Sequence, residues 1–336
     1  MYTDHYGLAE RPFQLTPDAR YWFESRTHKK AMAYLGYGLA QGEGFIVITG
    51  EIGAGKSTLV AHLMATIDRE RLNAISLVST QVEGDDMLRL AAQGLGLETG
   101  GVAKAQLLDR IEQRLREEAG RGKRTLLVVD EAQNLPVSAL EELRMLSNFT
   151  SQGRALIQIF LLGQPEFRDR VAAEDSLEQL RQRVIASHHL EAMEANEIEL
   201  YVVHRLAVAG WQGRPSFEPD VFAALYRHTG GVPRKLNQLA NRLLLYAGVE
   251  RLETIGGQDV EAVAADMAAD RPASASTRVL PLRRPAAEAA SDASLERRIA
   301  AIEARLDEQE AAVRRVLTVL LDWVENESRP RRSNAA

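Results

Sequence analysis

Eight consecutive residues, Gly50 to Ser57, have the types and spacing needed to hold a polyphosphate. They read Gly-Glu-Ile-Gly-Ala-Gly-Lys-Ser, the complete phosphate-binding pattern G-x-x-x-x-G-K-[ST]. The glycines let backbone N–H groups surround an anion, Lys56 can reach the β- and γ-phosphates, and the Ser57 hydroxyl can ligate Mg²⁺. The alternative, a glycine turn without chemical meaning, is much weaker because four specified positions seldom coincide by chance.

The segments on either side of this loop are those that would direct it at phosphate. Residues 45–49 form a short apolar run typical of a buried parallel strand, and residues 56–69 carry apolar side chains at helical spacing. A strand, a glycine loop and a helix in this order direct a helix N-terminus at an anion. We therefore expect a nucleoside triphosphate, taken to be ATP, and Mg²⁺ as cofactors. The expected nucleotide-binding residues are Gly50, Glu51, Ile52, Gly53, Ala54, Gly55, Lys56, Ser57 and Thr58.

A second apolar segment, residues 124–130, predicts a strand that ends in Asp130 and is followed by Glu131. A phosphate-loop enzyme needs a carboxylate near Mg²⁺ from the end of a neighbouring strand, so Asp130 joins Ser57 as an expected metal ligand. Glu131 is then placed to orient or deprotonate the attacking water, since hydrolysis depends mainly on positioning and charge stabilisation. The alternative is that both carboxylates cap the helix predicted over residues 136–149.

Composition describes a globular protein. The chain has 336 residues, of which 45% are apolar and 26% charged, enough for one large or two ordinary domains. It has no cysteine, which excludes disulfides and thiolate metal sites and favours a reducing compartment. The first residues lack the pattern of a signal peptide, and no apolar run approaches the ~20 residues that span a bilayer. We expect a cytoplasmic protein, with peripheral attachment at the inner membrane as the alternative.

Strand and helix patterns alternate through the first half of the chain and then become all-helical. Alternation indicates a parallel sheet with helices on both faces. Residues 230–233 read Gly-Gly-Val-Pro and should separate two helices of the second part. Strands are predicted near 45–49, 73–79, 124–130, 155–162 and 186–192. Helices are predicted near 25–41, 56–69, 84–95, 103–119, 136–149, 176–184, 195–209, 218–229, 233–248 and 257–268.

The C-terminal part has a different composition. Residues 270–291 are rich in Ala, Pro, Ser and Arg without periodicity, which predicts a flexible linker. Residues 292–326 predict a coiled-coil helix, for self-association or for a protein partner, and docking of a single amphipathic helix on the protein's own core is the alternative. The heptad positions are Leu295, Ile299, Ile302, Leu306, Gln309, Val313, Val316, Leu320 and Trp323. Residues 327–336 form a short tail, for which we expect a disordered, solvated end.

These features together resemble the AAA+ ATPases. The match extends over about residues 1–268 and includes Asp130-Glu131-Ala132-Gln133 and Leu162-Gly163-Gln164-Pro165-Glu166. With the N-terminal run Tyr6-Gly7-Leu8, Pro12-Phe13 and Thr16-Pro17-Asp18, the chain is similar to general secretion pathway protein A-type ATPases. The stretch from Gly42 to Gly50 looks most like the secretion ATPases of PEP-CTERM/exosortase loci, which pair protein sorting with exopolysaccharide production.

The resemblance implies a domain plan. It places a nucleotide-binding AAA+ domain over residues 1–193 and a helical lid over 194–269, ahead of the linker and the coiled-coil helix. Secretion-type relatives also carry a transmembrane segment and a periplasmic peptidoglycan-binding part. Neither pattern occurs in these residues, so direct remodelling of peptidoglycan is not expected.

The resemblance also implies further catalytic residues. In AAA+ proteins a polar residue after the fourth core strand senses the γ-phosphate, and Gln164 matches it, although a simple turn before Pro165 is the alternative. An arginine near the end of the α/β domain reaches the nucleotide of a neighbouring subunit, which implies a homo-oligomer. Arg183 is slightly preferred to Arg181 for that role. Arg234 matches the lid arginine that contacts the γ-phosphate within the same subunit.

Two further positions carry expectations. The N-terminal segment around Phe13 and Pro17 is expected beside the adenine, as the resemblance implies. The adjacent pair His188 and His189 resembles a metal site, but neighbouring residues on a strand point to opposite faces, so a structural role is expected.

The sequence leaves two classes of function open. One is an oligomeric ATPase that couples hydrolysis to the assembly or secretion of envelope material. The other is a nucleic-acid-associated ATPase of the transposition-helper type. Residues 1–270 carry 29 Lys and Arg against 37 Asp and Glu, which disfavours nucleic acid as a partner. A scaffold without catalysis is disfavoured by the presence of Lys56, Asp130 and Glu131 together.

Overall fold

The computed structural model of the chain describes residues 2–78 and 82–270. The C-terminal predictions, which comprise the linker after residue 270, the coiled-coil helix 292–326 and the tail 327–336, lie outside the described residues. The same is true of Ser79, the last residue of the second predicted strand.

Five parallel strands form the central sheet, in the order β2-β3-β6-β1-β7. Strand β1 lies between β6 and β7. Near its carboxyl end, Thr49 pairs with Gly163 of β6 on one side and with His189 of β7 on the other. The sheet strands are β1 (Phe45–Gly50), β2 (Leu72–Val78), β3 (Arg124–Asp130), β6 (Ile157–Gly163) and β7 (Val184–Leu190). Short antiparallel strands β4 (Thr150–Ser151) and β5 (Arg154–Ala155) form a hairpin, and β8 (Ser216–Phe217) pairs with β9 (Thr254–Ile255).

Helices surround this sheet and make up the second half of the described chain. The sheet-associated helices are α2 (Arg26–Gln41), α3 (Lys56–Thr66), α4 (Gly84–Gly94), α5 (Lys104–Gly120), α6 (Val137–Leu146), α7 (Pro165–Ala173) and α8 (Glu178–Arg181). The helices that follow are α9 (Ile198–Val208), α10 (Asp220–Thr229), α11 (Pro233–Glu250) and α12 (Gly257–Ala269). A short N-terminal helix, α1 (Tyr2–Tyr6), packs against α11.

Both faces of the sheet are buried, because alternate side chains of each central strand enter different apolar clusters. In β1, Phe45 and Val47 pack with α4, α5 and α6, whereas Ile46 and Ile48 pack with α2 and α3. The same division runs through β3 and β6. A strand buried on both faces reads as a continuous apolar run, which is why the sequence predicted it. The expected parallel sheet with helices on both faces and a following helical lid is confirmed.

Local signals account for the break between α10 and α11. Gly230 ends α10 with a φ of +59°, a left-handed conformation that glycine adopts without steric cost. Pro233 begins α11, where its missing N–H leaves no intrahelical hydrogen bond unmade. The Gly-Gly-Val-Pro segment therefore turns the chain as expected.

Three elements differ from expectation. Helix α7 was not predicted, although Pro165 occupies its first turn. The helix predicted over 176–184 is a 3₁₀ turn, Asp175–Leu177, followed by the single turn of α8. The N-terminal segment does not remain with the sheet, since it packs in the apolar core of the lid. The N-terminal residues buried there are Tyr2, Tyr6, Leu8 and Phe13. Sequence periodicity describes one segment at a time and carries no information on which distant core a short segment joins.

Substitutions at two glycines of α2 can test how tightly this helix packs on β1. A Cβ added at Gly38 would lie 1.7 Å from Cδ1 of Ile46, whereas a Cβ added at Gly36 would meet nothing within 4 Å. Alanine is the better helix former by up to about 1 kcal/mol, so Gly36→Ala should raise the free energy of unfolding by that order. Gly38→Ala should instead lower it by about 1–3 kcal/mol through overpacking. Urea denaturation measures both, and an equal gain from the two variants would contradict the close packing of α2 on β1.

Candidate nucleotide-binding site

The phosphate-binding loop lies between β1 and α3, at the carboxyl end of the sheet. Lys56 is buried, and its ammonium donates to the carbonyl oxygens of Gly50 (2.6 Å) and Glu51 (3.2 Å). Burial lowers the pKa of Lys56, and the carboxylates of Glu131 and Asp130 act in the opposite direction. The cation is thus held within the loop that it would serve.

The end of β3 brings a carboxylate to the first turn of α3. The Ser57 hydroxyl donates to Oδ2 of Asp130 at 3.1 Å, although the two residues lie 73 positions apart. A hydroxyl and a carboxylate oxygen are hard donors, the type that Mg²⁺ and Ca²⁺ take as ligands. Within residues 2–78 and 82–270, no group of three or more His, Cys, Asp or Glu side chains is arranged to hold a metal. Ser57 and Asp130 could therefore contribute to a cation site that the phosphates of a nucleotide complete.

Glu131 is fixed by two glutamines. Its backbone is left-handed, with φ 55° and ψ 41°, which is uncommon for a residue with a side chain. Oε2 of Glu131 accepts a hydrogen bond from Nε2 of Gln133 and lies 3.5 Å from Nε2 of Gln164. Oε1 of Gln133 in turn accepts from the backbone N–H of Gln164 at 3.0 Å. The carboxylate that follows β3 is thereby linked to the residue that follows β6.

Two loop glycines allow close approach from opposite sides. Gly53 has a φ of +88°, and an added Cβ would lie 2.4 Å from Cβ of Arg234. Gly55 has a φ of +101°, and an added Cβ would lie 2.6 Å from Nε2 of His28. The backbone N–H of Arg234 also donates to the carbonyl oxygen of Gly53 at 3.2 Å. The first turn of α11 therefore packs directly on the loop, and the side chain of His28 supports it from the other side.

A cleft of about 290 Å³ opens beside the loop, with one polar end and one aromatic end. At the polar end are loop residues, Glu131 and Arg234; the Arg234 guanidinium makes no hydrogen bond to any described residue. At the other end are residues of the N-terminal segment and of the lid. The lining residues there are Leu15, Pro17, Tyr21, Trp22, Phe23, Met193, Tyr201, Arg205 and Asn237. The polar end suits phosphates, and the aromatic end suits a planar base.

Two residues of the N-terminal segment lie in different surroundings. Pro17 lines the cleft. Phe13, which the resemblance implied beside the adenine together with Pro17, is buried in the apolar core of the lid and is not among the residues that line the cleft. Burial of a phenyl ring is worth more than partial contact with a solvent-filled cleft, so Phe13 anchors the segment that carries Pro17.

Arg183 and Arg181 do not reach the cleft of their own chain. Arg183 precedes β7 at the amino end of the strands, whereas the loop lies at their carboxyl end; its guanidinium donates to the carbonyl oxygen and the hydroxyl of Ser147. Arg181 donates to the carbonyl oxygens of Val171 and Ala172. The structure thus brings Arg234 to the loop and Gln164 to Glu131, and it leaves both candidate trans-acting arginines away from the loop.

The two adjacent histidines have separate partners. The ring of His188 contacts Thr27 of α2 and stacks on Tyr34, whereas Nδ1 of His189 lies 3.0 Å from the hydroxyl of Thr49. Each ring therefore has a packing role on its own side of β7.

Several residues of the site were not found from the sequence. Gln133 was quoted only as part of a motif, and its link to Gln164 depends on strand order. Tyr201 and Arg205 have the i, i+4 spacing that places two residues on one helix face, a signal that does not show what they face. Nothing in the local sequence indicated His28. The residues found only from the structure are His28, Gln133, Tyr201, Arg205 and Asn237.

Comparison with known proteins supports this assignment of the loop. Residues 39–171 match a family described as AAA domain. General secretion pathway protein A of Aeromonas hydrophila is 37% identical over 248 residues, which is 74% of this chain. The chain spans 45% of the length of that relative.

Solved structures with the same fold include proteins of Aeropyrum pernix and Pyrobaculum aerophilum. The ORC2 protein of Aeropyrum pernix, solved with ADPNP and ADP, has a TM-score of 0.57 and 14% identity over 76% of this chain and 71% of that one. Cdc6p from Pyrobaculum aerophilum has a TM-score of 0.59 and 15% identity over 76% of this chain and 70% of that one. At these identities the likeness establishes the AAA+ fold alone.

His28 predicts a pH dependence of stability. Its Nδ1 lies 2.6 Å from the Ser25 hydroxyl, and burial lowers its pKa from 6.5 to about 4, against a smaller opposite effect of a hydrogen bond with the Ala54 backbone. Between pH 6.5 and 4 the unfolded chain binds a proton that the folded chain does not, so stability falls as the pH is lowered through this window. The free energy of unfolding is unaffected by this group above pH 6.5, and below pH 4 it is lower by about 3 kcal/mol.

The variant His28→Gln keeps a polar side chain of similar reach but does not titrate. We expect its free energy of unfolding, measured by urea denaturation at pH 7.5, 5.5 and 4, to fall less steeply than that of the unsubstituted protein. Parallel pH curves for the two proteins would show that His28 is not the titrating group.

Proposed function

We propose that the chain is an AAA+ ATPase related to general secretion pathway protein A, and that it uses Mg²⁺-dependent ATP hydrolysis to drive the assembly or secretion of envelope material. The observation that carries the chemistry is the convergence of the loop and the end of β3, where Ser57 lies 3.1 Å from Asp130 and Glu131 follows directly. These groups belong to distant segments and share no apparent role except at a bound nucleotide.

The proposed roles follow from the contacts in the cleft. Residues 50–58 bind the phosphates through backbone N–H groups, and Lys56 leaves its carbonyl partners to neutralise the β- and γ-phosphates. Ser57 and Asp130 hold Mg²⁺, which when bound offsets the negative charge of the phosphates. Glu131 orients the attacking water and accepts its proton, and a hydrogen-bonded carboxylate held in one orientation suits that task.

Three further residues complete the proposal. Gln164 contacts the γ-phosphate and, through its hydrogen bond to Glu131, couples the orientation of that carboxylate to the presence of the phosphate. The contact between Gln164 and the Glu131 carboxylate supports this role. Arg234 neutralises charge that develops on the γ-phosphate, supported by the packing of its helix turn on Gly53. Arg183 acts on the nucleotide of a neighbouring subunit, in a homo-oligomer. The support for Arg183 is its position before β7 together with its distance from the cleft of its own chain.

The cellular part of the proposal depends on sequence similarity. The 37% identity to general secretion pathway protein A extends over 248 residues, which is 74% of this chain. The stretch from Gly42 to Gly50 favours, within such ATPases, those of PEP-CTERM/exosortase loci and hence export of exopolysaccharide or sorted protein. We place the protein in the cytoplasm, with a peripheral link to an envelope complex through residues 292–326. Among the described residues, no helix combines the length and apolar character that crossing a bilayer requires.

Two substitutions separate nucleotide binding from turnover. Lys56→Ala removes the cation that meets the phosphates and should weaken ATP binding at least tenfold. Glu131→Gln keeps the shape and should leave the Kd for ATP within about twofold while lowering kcat by about 100-fold or more. Binding is measured by calorimetry with Mg²⁺ and turnover by phosphate release, with an EDTA control for the metal. If Glu131→Gln hydrolyses ATP at the unsubstituted rate, Glu131 is not the group that activates water.

The same variants provide a control for assembly. In a mixed oligomer of Lys56→Ala and Arg183→Ala subunits, the intact Arg183 of the first can serve the intact loop of the second. Recovery of turnover on mixing supports a trans-acting Arg183. Recovery with Arg181→Ala in its place, and not with Arg183→Ala, would assign the role to Arg181.

The pathway is tested in the source bacterium. A chromosomal Glu131→Gln allele should lower secreted exopolysaccharide, or surface-sorted protein, to the level of a gene deletion while leaving the amount of the ATPase unchanged. Carbohydrate assay of the culture medium and immunoblotting measure the two. The position of the gene among exosortase and polysaccharide genes would support the narrower assignment. Normal export with a catalytically dead allele would contradict the proposed coupling, whatever the ATPase does in vitro.

A further inference from the structure

A buried polar network borders the aromatic end of the cleft and has no part in the hydrolysis scheme. It joins Tyr201 and Arg205 of α9 to Asn237 of α11, and all three side chains line the cleft. They are 5%, 6% and 7% exposed, respectively, so each polar atom needs a partner or an opening to the cleft. Among the described residues Arg205 makes no salt bridge. Its Nε and Nη2 donate to the carbonyl oxygens of Pro12 and Gln14.

The chemistry of these groups sets the direction of each hydrogen bond. An arginine can only donate, so in the 3.1 Å contact between Nη1 of Arg205 and the Tyr201 hydroxyl the phenol oxygen accepts. The phenol hydrogen is then available, and it is donated to Oδ1 of Asn237 at 2.8 Å. With the amide reversed, two donors would face the phenol oxygen and its own hydrogen would lack an acceptor. The amide of Asn237 is therefore fixed with its oxygen toward Tyr201.

The amide nitrogen of Asn237 consequently remains as an unused double donor. It has no hydrogen-bond partner among the described residues, and it is not among their fully enclosed unsatisfied atoms, so it reaches open space. Asn237 borders the cleft and also a neighbouring cavity, whereas Asn241, the position of the control variant, borders that second cavity alone. Asn237 lies three residues after Arg234, close to one turn farther along α11 and on the same side of the helix. Arg234 lies on Gly53 of the phosphate-binding loop. The donor is thus displaced from the phosphate end of the cleft toward the aromatic end.

We propose that Asn237 donates a hydrogen bond to the nucleoside part of the bound nucleotide, and that the Tyr201–Arg205 pair holds its amide in the donating orientation. This inference rests on the proposed nucleotide binding and adds a specificity-determining residue to it. The acceptor is a ribose oxygen or a ring nitrogen of the base, which present the same chemistry to an amide N–H. Because Arg205 also holds the N-terminal segment at Pro12 and Gln14, the same network fixes the wall of the cleft that carries Leu15 and Pro17.

The test compares ATP with inorganic tripolyphosphate, which has phosphates but no nucleoside. Asn237→Asp keeps the oxygen that accepts from Tyr201 and removes the donor. Its added charge repels both ligands alike, so the ratio of the two Kd values isolates the nucleoside contact. We expect the preference for ATP over tripolyphosphate, measured by calorimetry on the full chain, to fall about fivefold. Tyr201→Phe, which releases the amide, should lower the same ratio about two- to threefold without changing the affinity for tripolyphosphate.

The matched control is Asn241→Asp. Asn241 lies one turn farther along α11, and its Oδ1 accepts from the Tyr2 hydroxyl at the same 2.8 Å, but it does not line the cleft. This variant should keep the unsubstituted ratio. Comparing ATP with 2′-deoxyATP identifies the acceptor. If it is the ribose 2′-hydroxyl, the unsubstituted protein will prefer ATP and Asn237→Asp will lose that preference; if both proteins treat the two nucleotides alike, the base or the remaining ribose oxygens accept.

The outcomes separate this inference from the function on which it rests. Failure of the unsubstituted protein to bind ATP would refute nucleotide binding itself. Normal ATP binding with an unchanged ratio in both Asn237→Asp and Tyr201→Phe would overturn only the role of Asn237. If Asn237→Asp does not fold, as judged by its thermal unfolding without ligand, the ratio measured for Tyr201→Phe decides.

Discussion

The contact between the first turn of α11 and the phosphate-binding loop is the constraint on which the rest of the site depends. The N–H of Arg234 donates to the carbonyl oxygen of Gly53, and the two backbones approach so closely that a Cβ at Gly53 would lie 2.4 Å from Cβ of Arg234. Only glycine fits there, both for space and for the positive φ. This one contact forms the cleft, because it sets the distance between the lid and the sheet and places Arg234 and Asn237 along it.

The two buried cations of the cleft have neutral hydrogen-bond partners. Lys56 is buried on carbonyl oxygens, and Arg205 is buried on two carbonyl oxygens and a phenol; within the part of the chain that the structure describes, neither cation makes a direct ion pair. A buried cation with neutral partners stays strongly attractive to an anion because little water screens it. The carboxylates of Asp130 and Glu131 lie close enough to Lys56 to favour its charged form, while Asp130 accepts a hydrogen bond from Ser57 and Glu131 accepts one from Gln133. A polyanion with a divalent cation gives both the cations and the carboxylates a partner of opposite charge.

The N-terminal segment has a structural part that its sequence position does not suggest. Tyr2, Tyr6, Leu8 and Phe13 are buried in the core of the lid, while Pro17 borders the cleft. The hydroxyl of Tyr6 donates to the carbonyl oxygen of Leu252, nearly the whole described chain away. The segment therefore packs in the core of the lid and also forms part of the lining of the cleft. A change in lid position would be transmitted to the wall beside the expected base.

By itself the sequence determined the features that local pattern controls. The loop from Gly50 to Ser57, the apolar strand that ends at Asp130 and the alternation of strands with helices follow from spacing and periodicity within single segments, and these predicted the fold class. Only the tertiary structure decided which distant side chains meet: His28 at Gly55, Gln133 with Gln164, and Asn237 with Tyr201. The tertiary structure also decided that Phe13 is buried in the core of the lid. These contacts depend on strand order and on how whole elements pack. The same local sequence pattern is compatible with several such arrangements. The physical reason is that local periodicity fixes which face of an element is apolar, whereas the choice of its partner depends on the free energy of the complete core.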